Sequence, residues 1–181
     1  MYPGKIELLF TDTDSLCYEI RTKDVYQDMH TIKEHLDTSN YQEMHPLFSK
    51  EFKKVPGKMK DELAGVPIKE FVGLRPKMYS LKYDATEKCE DGRINKYQVE
   101  KKVAKGIARC EIKNTLRHEN YKKCLFNETV TLNSMNLIRS KNHQLFIDTI
   151  VKKGLCSFDD KRYWKKPIES YAFGHYKIGE M

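Results

Sequence analysis

Two aspartates one residue apart are the residues of this sequence best suited to chemistry. Asp12 and Asp14 stand between two short apolar runs, residues 6–10 and 16–20, and this pattern predicts a β-hairpin whose turn carries both carboxylates. Buried apolar flanks would hold the two negative charges close together, which is costly unless a cation neutralises them. Mg²⁺ prefers carboxylate oxygens together with substrate phosphates. The pair therefore predicts a divalent-metal site that serves a nucleotide.

The Asp-x-Asp pattern also has other interpretations. Nucleotide-sugar glycosyltransferases hold a metal and a diphosphate with such a pair, and an acidic β-turn with nothing bound is common. An EF-hand loop is excluded, because it needs further oxygen ligands and a glycine where this sequence has Leu16, Cys17 and Tyr18. The metal site and the plain acidic turn both stay open on this pattern alone.

A second group of residues is suited to binding phosphates. If residues 67–83 form one strand, period-2 geometry places Arg75, Lys77 and Tyr79 on one face. Two cations and a phenol on a rigid strand match a nucleic-acid backbone, because phosphates accept charge-assisted hydrogen bonds and the ring can pack on a sugar. The alternative is an exposed strand face whose lysine prevents aggregation.

A third group contains three lysines close together in the sequence. Lys101, Lys102 and Lys105 could follow phosphates along a backbone, with Gly106 allowing a close approach. Lysines at the end of a strand are more commonly just solvated. The group therefore supports nucleic-acid binding only together with the other cations.

Composition points to a polyanionic partner and to a reducing compartment. The 181 residues carry a net charge of +7, with a pI near 9.0, which favours nucleic acid through counterion release. The five cysteines are scattered and form no Cys-x-x-Cys pair, and no signal peptide or membrane-spanning run is evident. We expect a soluble, intracellular protein without a membrane partner.

The periodicity predicts an α+β fold. A helix over residues 24–36, capped by Asp24, is expected to pack on the back of the first hairpin. The strand over 67–83 should pair antiparallel with a strand over 96–107 through the polar turn 89–92. A short helix over 118–126, strands over 130–138 and 145–151, and a helix start at 159–164 follow, with a lobe boundary near 105–112.

The ordered set of motifs resembles the C-terminal part of family B DNA polymerases. The set consists of Asp12-Thr13-Asp14-Ser15 after an apolar strand, Lys77-Met78-Tyr79, and Lys105-Gly106. Residues 36–41, 60–62, 70–80 and 159–163 are similar, more specifically, to the protein-primed branch carried by self-synthesising transposons of the Polinton or Maverick type and by related viruses.

The resemblance implies that the two parts of the chain have different roles. Residues 1–107 would form part of the palm, an antiparallel sheet with a packed helix, and residues 108–181 a small, mixed α/β thumb-like lobe that grips duplex DNA by its phosphates. Asp14 would bridge two Mg²⁺ ions with Asp12 in support, and Lys77 and Tyr79 would hold the primer terminus. A DNA primer-template and a deoxynucleoside triphosphate would be the partners.

The departures from the family pattern predict that this chain does not polymerise alone. Phe10 stands where many family members have tyrosine. The motif A aspartate, the nucleotide-binding lysine helix, the fingers and the exonuclease are all absent from the sequence, so this chain supplies half of a two-metal site and would need the missing N-terminal polymerase portion. The alternative is a non-catalytic, basic nucleic-acid-binding module or domesticated remnant, and a glycosyltransferase is less favoured.

Overall fold

The computed structural model describes residues 4–88, 94–166 and 169–179. The chain has an α+β fold, as the sequence predicts, and its strands far outnumber its helices. The elements are β1 Ile6–Asp12, β2 Ser15–Ile20, α1 Val25–Thr31, β3 Leu36–Asp37, β4 Met59–Lys60, β5 Ile68–Arg75, β6 Met78–Lys88, β7 Ile94–Ala104, α2 Arg109–Asn114, α3 His118–Phe126, β8 Val130–Lys141, β9 Gln144–Cys156, β10 Arg162–Lys166 and β11 Glu169–Ala172, with 3₁₀ turns at Lys33–His35 and Tyr176–Ile178.

The chain divides into two compact units. The first unit contains the described residues of Met1–Lys69 and Tyr83–Val99, and the second contains those of Glu70–Lys82 and Glu100–Met181. The three-stranded sheet, in the order β5-β6-β7, contributes residues to both units. The functional division into palm residues 1–107 and thumb residues 108–181 stays a prediction.

The predicted N-terminal hairpin is present, but its strands are not buried. β1 and β2 pair antiparallel as a two-stranded sheet, with Asp12 opposite Ser15. Leu8 is 50% exposed and Leu16 is 43% exposed, whereas Cys17 is buried. The expectation that buried apolar flanks fix the turn is therefore wrong. A two-stranded ribbon buries little apolar surface by itself, so its turn must be held by other contacts.

The helix after the hairpin is shorter than predicted. Asp24 caps it as expected, because its carboxylate accepts hydrogen bonds from the backbone N–H groups of Tyr26 and Gln27. The α-helix ends at Thr31, and a 3₁₀ turn leads into β3, so the predicted extension to residue 36 is wrong. None of its residues is buried, because the apolar stripe is too short to cover a core.

Asp37 organises the irregular segment between β3 and β4. Its side chain is buried, and it accepts hydrogen bonds from the backbone N–H groups of Ser39, at 3.0 Å, and Lys54, at 3.1 Å. The ammonium of Lys60 lies 3.6 Å away. These hydrogen bonds, led by those from Ser39, hold the pKa of the Asp37 carboxyl well below its usual range. The hydrogen bonds to the ionised Asp37 carboxylate therefore hold this segment, which has little regular secondary structure.

The second unit has one apolar core beneath the sheet. Tyr121, Cys124 and Leu155 are fully buried, and Met78 is 1% exposed. Leu155 comes from β9, and the core cluster is completed by further side chains from the sheet and from the segment around α2 and α3: Val72, Leu74, Ala104, Ile107 and Leu116. The predicted helix over 118–126 is confirmed as α3, and it contributes the centre of this core.

The predicted single strand over 67–83 is two strands. β5 ends at Arg75 and β6 begins at Met78, with Pro76 and Lys77 as the two central residues of the turn. Proline cannot donate a ladder hydrogen bond, and Lys77 has φ 59°, as the third residue of a type II turn requires. β7 is the neighbour of β6, so the predicted pairing holds for β6. The predicted turn 89–92 lies outside the described residues.

The C-terminal residues form two hairpins. β8 and β9 pair antiparallel and are longer than predicted, and both central residues of their turn, Asn142 and His143, have positive φ. β10 and β11 form the second hairpin. The predicted helix start at 159–164 is wrong, because Asp159 accepts a hydrogen bond from the Lys161 N–H in a local turn that leads into a strand.

We expect Asp37→Asn to lower the midpoint of thermal unfolding near neutral pH. Since the folded-state pKa of Asp37 is depressed, its stabilisation is fully present above the ordinary aspartate pKa and is lost as the pH falls through the folded-state value. The difference in midpoint between the two proteins should therefore shrink as the pH falls below about 4. Calorimetry from pH 7 to pH 3 measures it.

The matched control is Asp84→Asn, which removes an exposed carboxylate paired with Lys69 and should change the midpoint little. An Asp37→Asn protein with the wild-type midpoint at pH 7 would contradict the structural role of this aspartate.

Candidate functional site

The turn between β1 and β2 carries both predicted metal ligands. Asp12 is the last residue of β1, and Thr13 and Asp14 form the two-residue connection to Ser15. The Thr13 hydroxyl donates to Asp12 Oδ1 at 3.3 Å. Asp14 is exposed and Asp12 is partly exposed, so both carboxylates are accessible from solvent. The predicted placement of two acids at a hairpin tip is confirmed.

The backbone of this turn is strained at Thr13. Thr13 has φ 60°, and it is the one β-branched residue with positive φ among the residues that the structure describes. A β-branched residue in this region is a true outlier, and such conformations cost about 1–3 kcal/mol and cluster at functional sites. Glycine would remove the strain in a purely structural turn of this kind. The strained turn is therefore an observation in favour of a function for the acids beside it.

A third carboxylate lies next to the turn. The Ser15 hydroxyl donates to Glu62 Oε1 at 2.9 Å, across 47 residues of sequence. Sequence reasoning missed this contact. No local pattern signals a contact over this distance in the chain.

Asp61 holds the segment that carries Glu62. Its Oδ2 accepts hydrogen bonds from the Tyr41 hydroxyl and from the backbone N–H of Gly65, both at 2.8 Å, and its Oδ1 accepts one from Leu63 N at 2.8 Å. Burial of Tyr41, together with its hydrogen bond to the Asp61 carboxylate, raises the pKa of the phenol far above its usual range, so Tyr41 remains a donor. This clamp keeps Glu62 in reach of Ser15.

The acids do not form a closed metal cage. Among the described residues, no group of three or more His, Cys, Asp or Glu side chains is arranged to hold a metal ion. Exposed carboxylate oxygens are nevertheless the ligands that Mg²⁺ takes when water and substrate phosphates complete its shell. Asp12 and Asp14 therefore fit a hydrated ion with one or two protein ligands, and their role as metal ligands stays a prediction.

The structure separates Arg75, Lys77 and Tyr79. Because Pro76 and Lys77 form a turn, these three residues do not share one face of a strand, and that prediction is wrong. The Arg75 side chain is 17% exposed and lies 3.9 Å from Asp160 Oδ1. Tyr79 is buried, with its ring 6.4 Å from that of Phe71. Of the three, only Lys77 is exposed.

Lys77 and Lys105 are brought together by the backbone. The N–H of Lys105 donates to the carbonyl of Lys77 at 2.9 Å, and both residues are exposed. Gly106, with φ 98°, allows the chain to reverse directly after Lys105. No atom lies within 4 Å of the position that a Gly106 Cβ would take, so the residue serves the turn and not a close approach. Two turns thus present two lysines side by side.

The other two predicted lysines differ in their surroundings. The ammonium of Lys102 donates to the carbonyl of Leu116 at 2.6 Å, and burial, with a contribution from Arg117, lowers the pKa of this lysine. Lys102 thus satisfies a carbonyl between α2 and α3. Lys101 is partly exposed on the same strand. The exposed positions of the predicted DNA-binding set are therefore Lys77 and Lys105, with Lys101 partly accessible.

Sequence reasoning also missed a buried polar network beneath Tyr79. Ser80 and His118 are both fully buried, and His118 Nδ1 lies 2.9 Å from Ser80 Oγ. His118 Nε2 lies 3.3 Å from Glu70 Oε2, but the geometry does not make a hydrogen bond. Glu70 forms an ion pair with Lys122, and the hydrogen bond from Lys122 lowers the pKa of the Glu70 carboxyl.

This network resembles a serine hydrolase triad in composition only. Ser80 is sealed from solvent, so a substrate could not reach its hydroxyl. The serine also bonds Nδ1, whereas in a hydrolase triad Nδ1 faces the acid and Nε2 faces the serine. The network therefore joins α3 to the sheet and has no nucleophilic role.

Comparison with protein-family models, with characterised proteins and with solved structures finds no match to this chain. Within the part of the chain that the structure describes, every helix is too short or too polar to cross a bilayer. Function must therefore be argued from the residues themselves.

We expect Ser80→Ala to destabilise the protein by about 1–3 kcal/mol, because it leaves the buried His118 Nδ1 without its partner. His118→Ala should cost at least as much, since it also opens a cavity in the core. Chemical denaturation at neutral pH measures both free energies of unfolding. The matched control, His30→Ala, removes an exposed histidine and should stay within about 0.5 kcal/mol of wild type; equal losses in all three variants would contradict the role of the network.

Proposed function

We propose that this chain is a palm-and-thumb part of a DNA-directed DNA polymerase of the protein-primed family B type. It binds a divalent metal through Asp12 and Asp14 and a DNA backbone through Lys77 and Lys105. The observation that supports the proposal is the Asp-Thr-Asp-Ser turn, which has a strained Thr13 and the Glu62 carboxylate bonded to its last residue. Its natural place of action is where DNA is replicated, in the nucleus or in a viral factory.

The chemistry of nucleotidyl transfer agrees with these residue types. When bound, two Mg²⁺ ions activate the primer 3′-hydroxyl and neutralise the triphosphate leaving group. Asp14, exposed in the turn, and Asp12, at the strand end, would hold the metal with their carboxylate oxygens. Glu62 accepts a hydrogen bond from Ser15 and so restrains the outgoing end of the same turn.

The number of ligands makes the chain dependent on further residues for catalysis. Two octahedral ions that share a substrate need carboxylates from more than one turn. The described residues offer no group of three candidate ligands. We therefore propose that the chain does not polymerise with these residues alone, and that another polymerase portion completes the metal site.

The turns that carry Lys77 and Lys105 account for the DNA-binding part of the proposal. Phosphate contacts need exposed cations, and Lys77 and Lys105 are exposed and joined through their backbones. The partly buried Arg75 and the buried Tyr79 lie beside the turn that presents Lys77, and Lys102 supports the connection between α2 and α3. These three residues act by positioning the exposed lysines.

A nucleic-acid-binding module without catalysis is the second candidate. Two observations favour it: the backbones of Lys77 and Lys105 come together, and the described residues contain no group of three acids placed to hold a metal. The two candidates differ in their dependence on magnesium. Binding to a primer-template should strengthen with Mg²⁺, through Asp12 and Asp14, only if the polymerase proposal is right.

We expect Asp14→Asn to weaken Mn²⁺ binding about tenfold or more, because the amide removes a charged ligand from a site with few protein oxygens. Mn²⁺ serves as the probe, and the electron paramagnetic resonance signal of the free ion measures the bound fraction. Glu43→Gln, which also removes an exposed negative charge from the first unit, is the control. An equal loss of Mn²⁺ affinity in both variants would contradict a metal site at the turn. In a separate assay, nucleotide incorporation by the purified chain would contradict its need for further metal ligands.

We expect Lys77→Ala and Lys105→Ala each to weaken duplex DNA binding and to reduce the slope of log K against log salt by about 1. Fluorescence anisotropy with a labelled duplex between 50 and 200 mM salt measures the slope. Lys50→Ala removes an exposed lysine from the first unit and leaves the net charge equal to that of the test variants. If Lys50→Ala changes the slope as much as they do, the DNA contact is diffuse and the proposed site is wrong.

A further inference from the structure

Three aromatic rings stack into a column in the C-terminal hairpin of the second unit. The rings of Tyr171 and His175 have centroids 4.8 Å apart and planes inclined by 27°. The rings of His175 and Tyr176 follow at 4.6 Å and 26°. We call Tyr171, His175 and Tyr176 the aromatic column. Both separations are typical of offset stacking, in which the rings lie nearly parallel.

Local hydrogen bonds hold the column in place. The His175 N–H donates to the carbonyl of Ala172 at 3.1 Å, and His175 Nδ1 accepts a hydrogen bond from the N–H of Lys177 at 3.2 Å. These bonds set the position of the middle ring at the start of a 3₁₀ turn. Tyr171 belongs to β11, where Tyr163 of β10 is its partner, and its hydroxyl is bonded to Glu169. The aromatic column is therefore preformed by contacts within the protein.

The outer end of the column is exposed. Tyr176 is 70% exposed, although one side of its ring is stacked on His175. Phe173, which lies between β11 and the 3₁₀ turn, is 66% exposed. Apolar rings left in water beside a preformed stack offer a flat surface for another ring.

The segment that carries the column is rich in basic residues. Between residues 161 and 177 the sequence has five basic side chains and one acidic side chain, Glu169. The ammonium of Lys177 lies 5.9 Å from the centroid of the Tyr176 ring. All five basic residues are exposed: Lys161, Arg162, Lys165, Lys166 and Lys177. A ligand that combines flat rings with negative charge matches both properties of this surface.

We propose that the aromatic column is a stacking site for unpaired bases of a single-stranded nucleic acid. A base stacks on the exposed Tyr176 ring, and the Lys177 ammonium beside it holds the adjoining phosphate. Bases in a duplex have both faces covered by their neighbours, so the column selects single strands. This function goes beyond the duplex contact proposed for Lys77 and Lys105, and it uses other residues.

The combination of stacking and charge favours a nucleic acid over other ligands. A surface for an apolar protein partner would not need an ammonium beside the exposed ring, and a purely phosphate-binding surface would not need the column. The rings accept any base, because every base has a π face. Sequence preference should accordingly be weak.

The test compares three ligands of equal length by fluorescence anisotropy: a labelled thymidine 12-mer, an abasic strand with the same phosphates, and a duplex. Wild-type protein should bind the thymidine strand about 5- to 100-fold more tightly than the abasic strand. Tyr176→Leu should abolish this preference, and Tyr176→Phe, which keeps the ring, should retain it. Phe126→Leu removes another exposed ring, 78% exposed at the end of α3, and should leave the preference intact.

Equal affinity of the wild-type protein for the thymidine and abasic strands would overturn the proposal, whether or not the variants fold. Equal loss of preference in Tyr176→Leu and Phe126→Leu would overturn it as well. The Lys77→Ala, Lys105→Ala double variant separates this site from the proposed function. It should lose duplex binding while the preference for bases over abasic sugar remains, and a preference that disappears with these lysines would contradict a separate stacking site.

Discussion

The hydrogen bond between the buried Ser80 hydroxyl and His118 Nδ1 is the interaction on which the second unit depends. It connects β6 with the first residue of α3 in a core that is otherwise apolar. The same helix start is held by Glu100, which accepts a hydrogen bond from His118 N–H at 3.0 Å, and the Tyr121 hydroxyl donates to the carbonyl of Val103 at 3.1 Å. Buried polar groups are costly unless they are paired, so these bonds define one arrangement of helix and sheet. The turn that presents Lys77 leads directly into this strand.

Four aspartates of the first unit form two pairs with different surroundings. Asp37 and Asp61 accept backbone N–H and side-chain hydrogen bonds and organise a segment with little regular structure. Asp12 and Asp14 stand on a strained turn that is open to solvent. An aspartate whose oxygens are filled by the protein has no capacity for a metal, whereas an exposed carboxylate such as that of Asp14 is accessible to one. The clamp around Asp61 matters to the exposed pair because it brings Glu62 to Ser15.

Several elements could be predicted because their signals are local. The first hairpin, α3 and the β8–β9 hairpin follow from alternation, helical periodicity and turn residues within a few positions. The prediction of one strand over residues 67–83 is wrong because the alternation continues across Pro76, where the chain in fact turns. The predicted helix over 24–36 is too long because an apolar stripe does not show where packing ends. At 159–164 the prediction is wrong because an aspartate before polar residues fits a local turn as well as a helix cap.

By itself, the sequence determined the identity and spacing of the two acids, their place at a hairpin tip, the cap of the first helix and the positive net charge. These properties depend on composition or on neighbours along the chain. Only the tertiary structure decided that Arg75 and Tyr79 lie largely buried while Lys77 and Lys105 meet at the surface, that Glu62 reaches the acidic turn, and that His118 is sealed in the core. The physical reason is that burial and pairing depend on residues brought together from distant positions, 47 apart for Ser15 and Glu62 and 38 apart for Ser80 and His118, and no local pattern records such encounters.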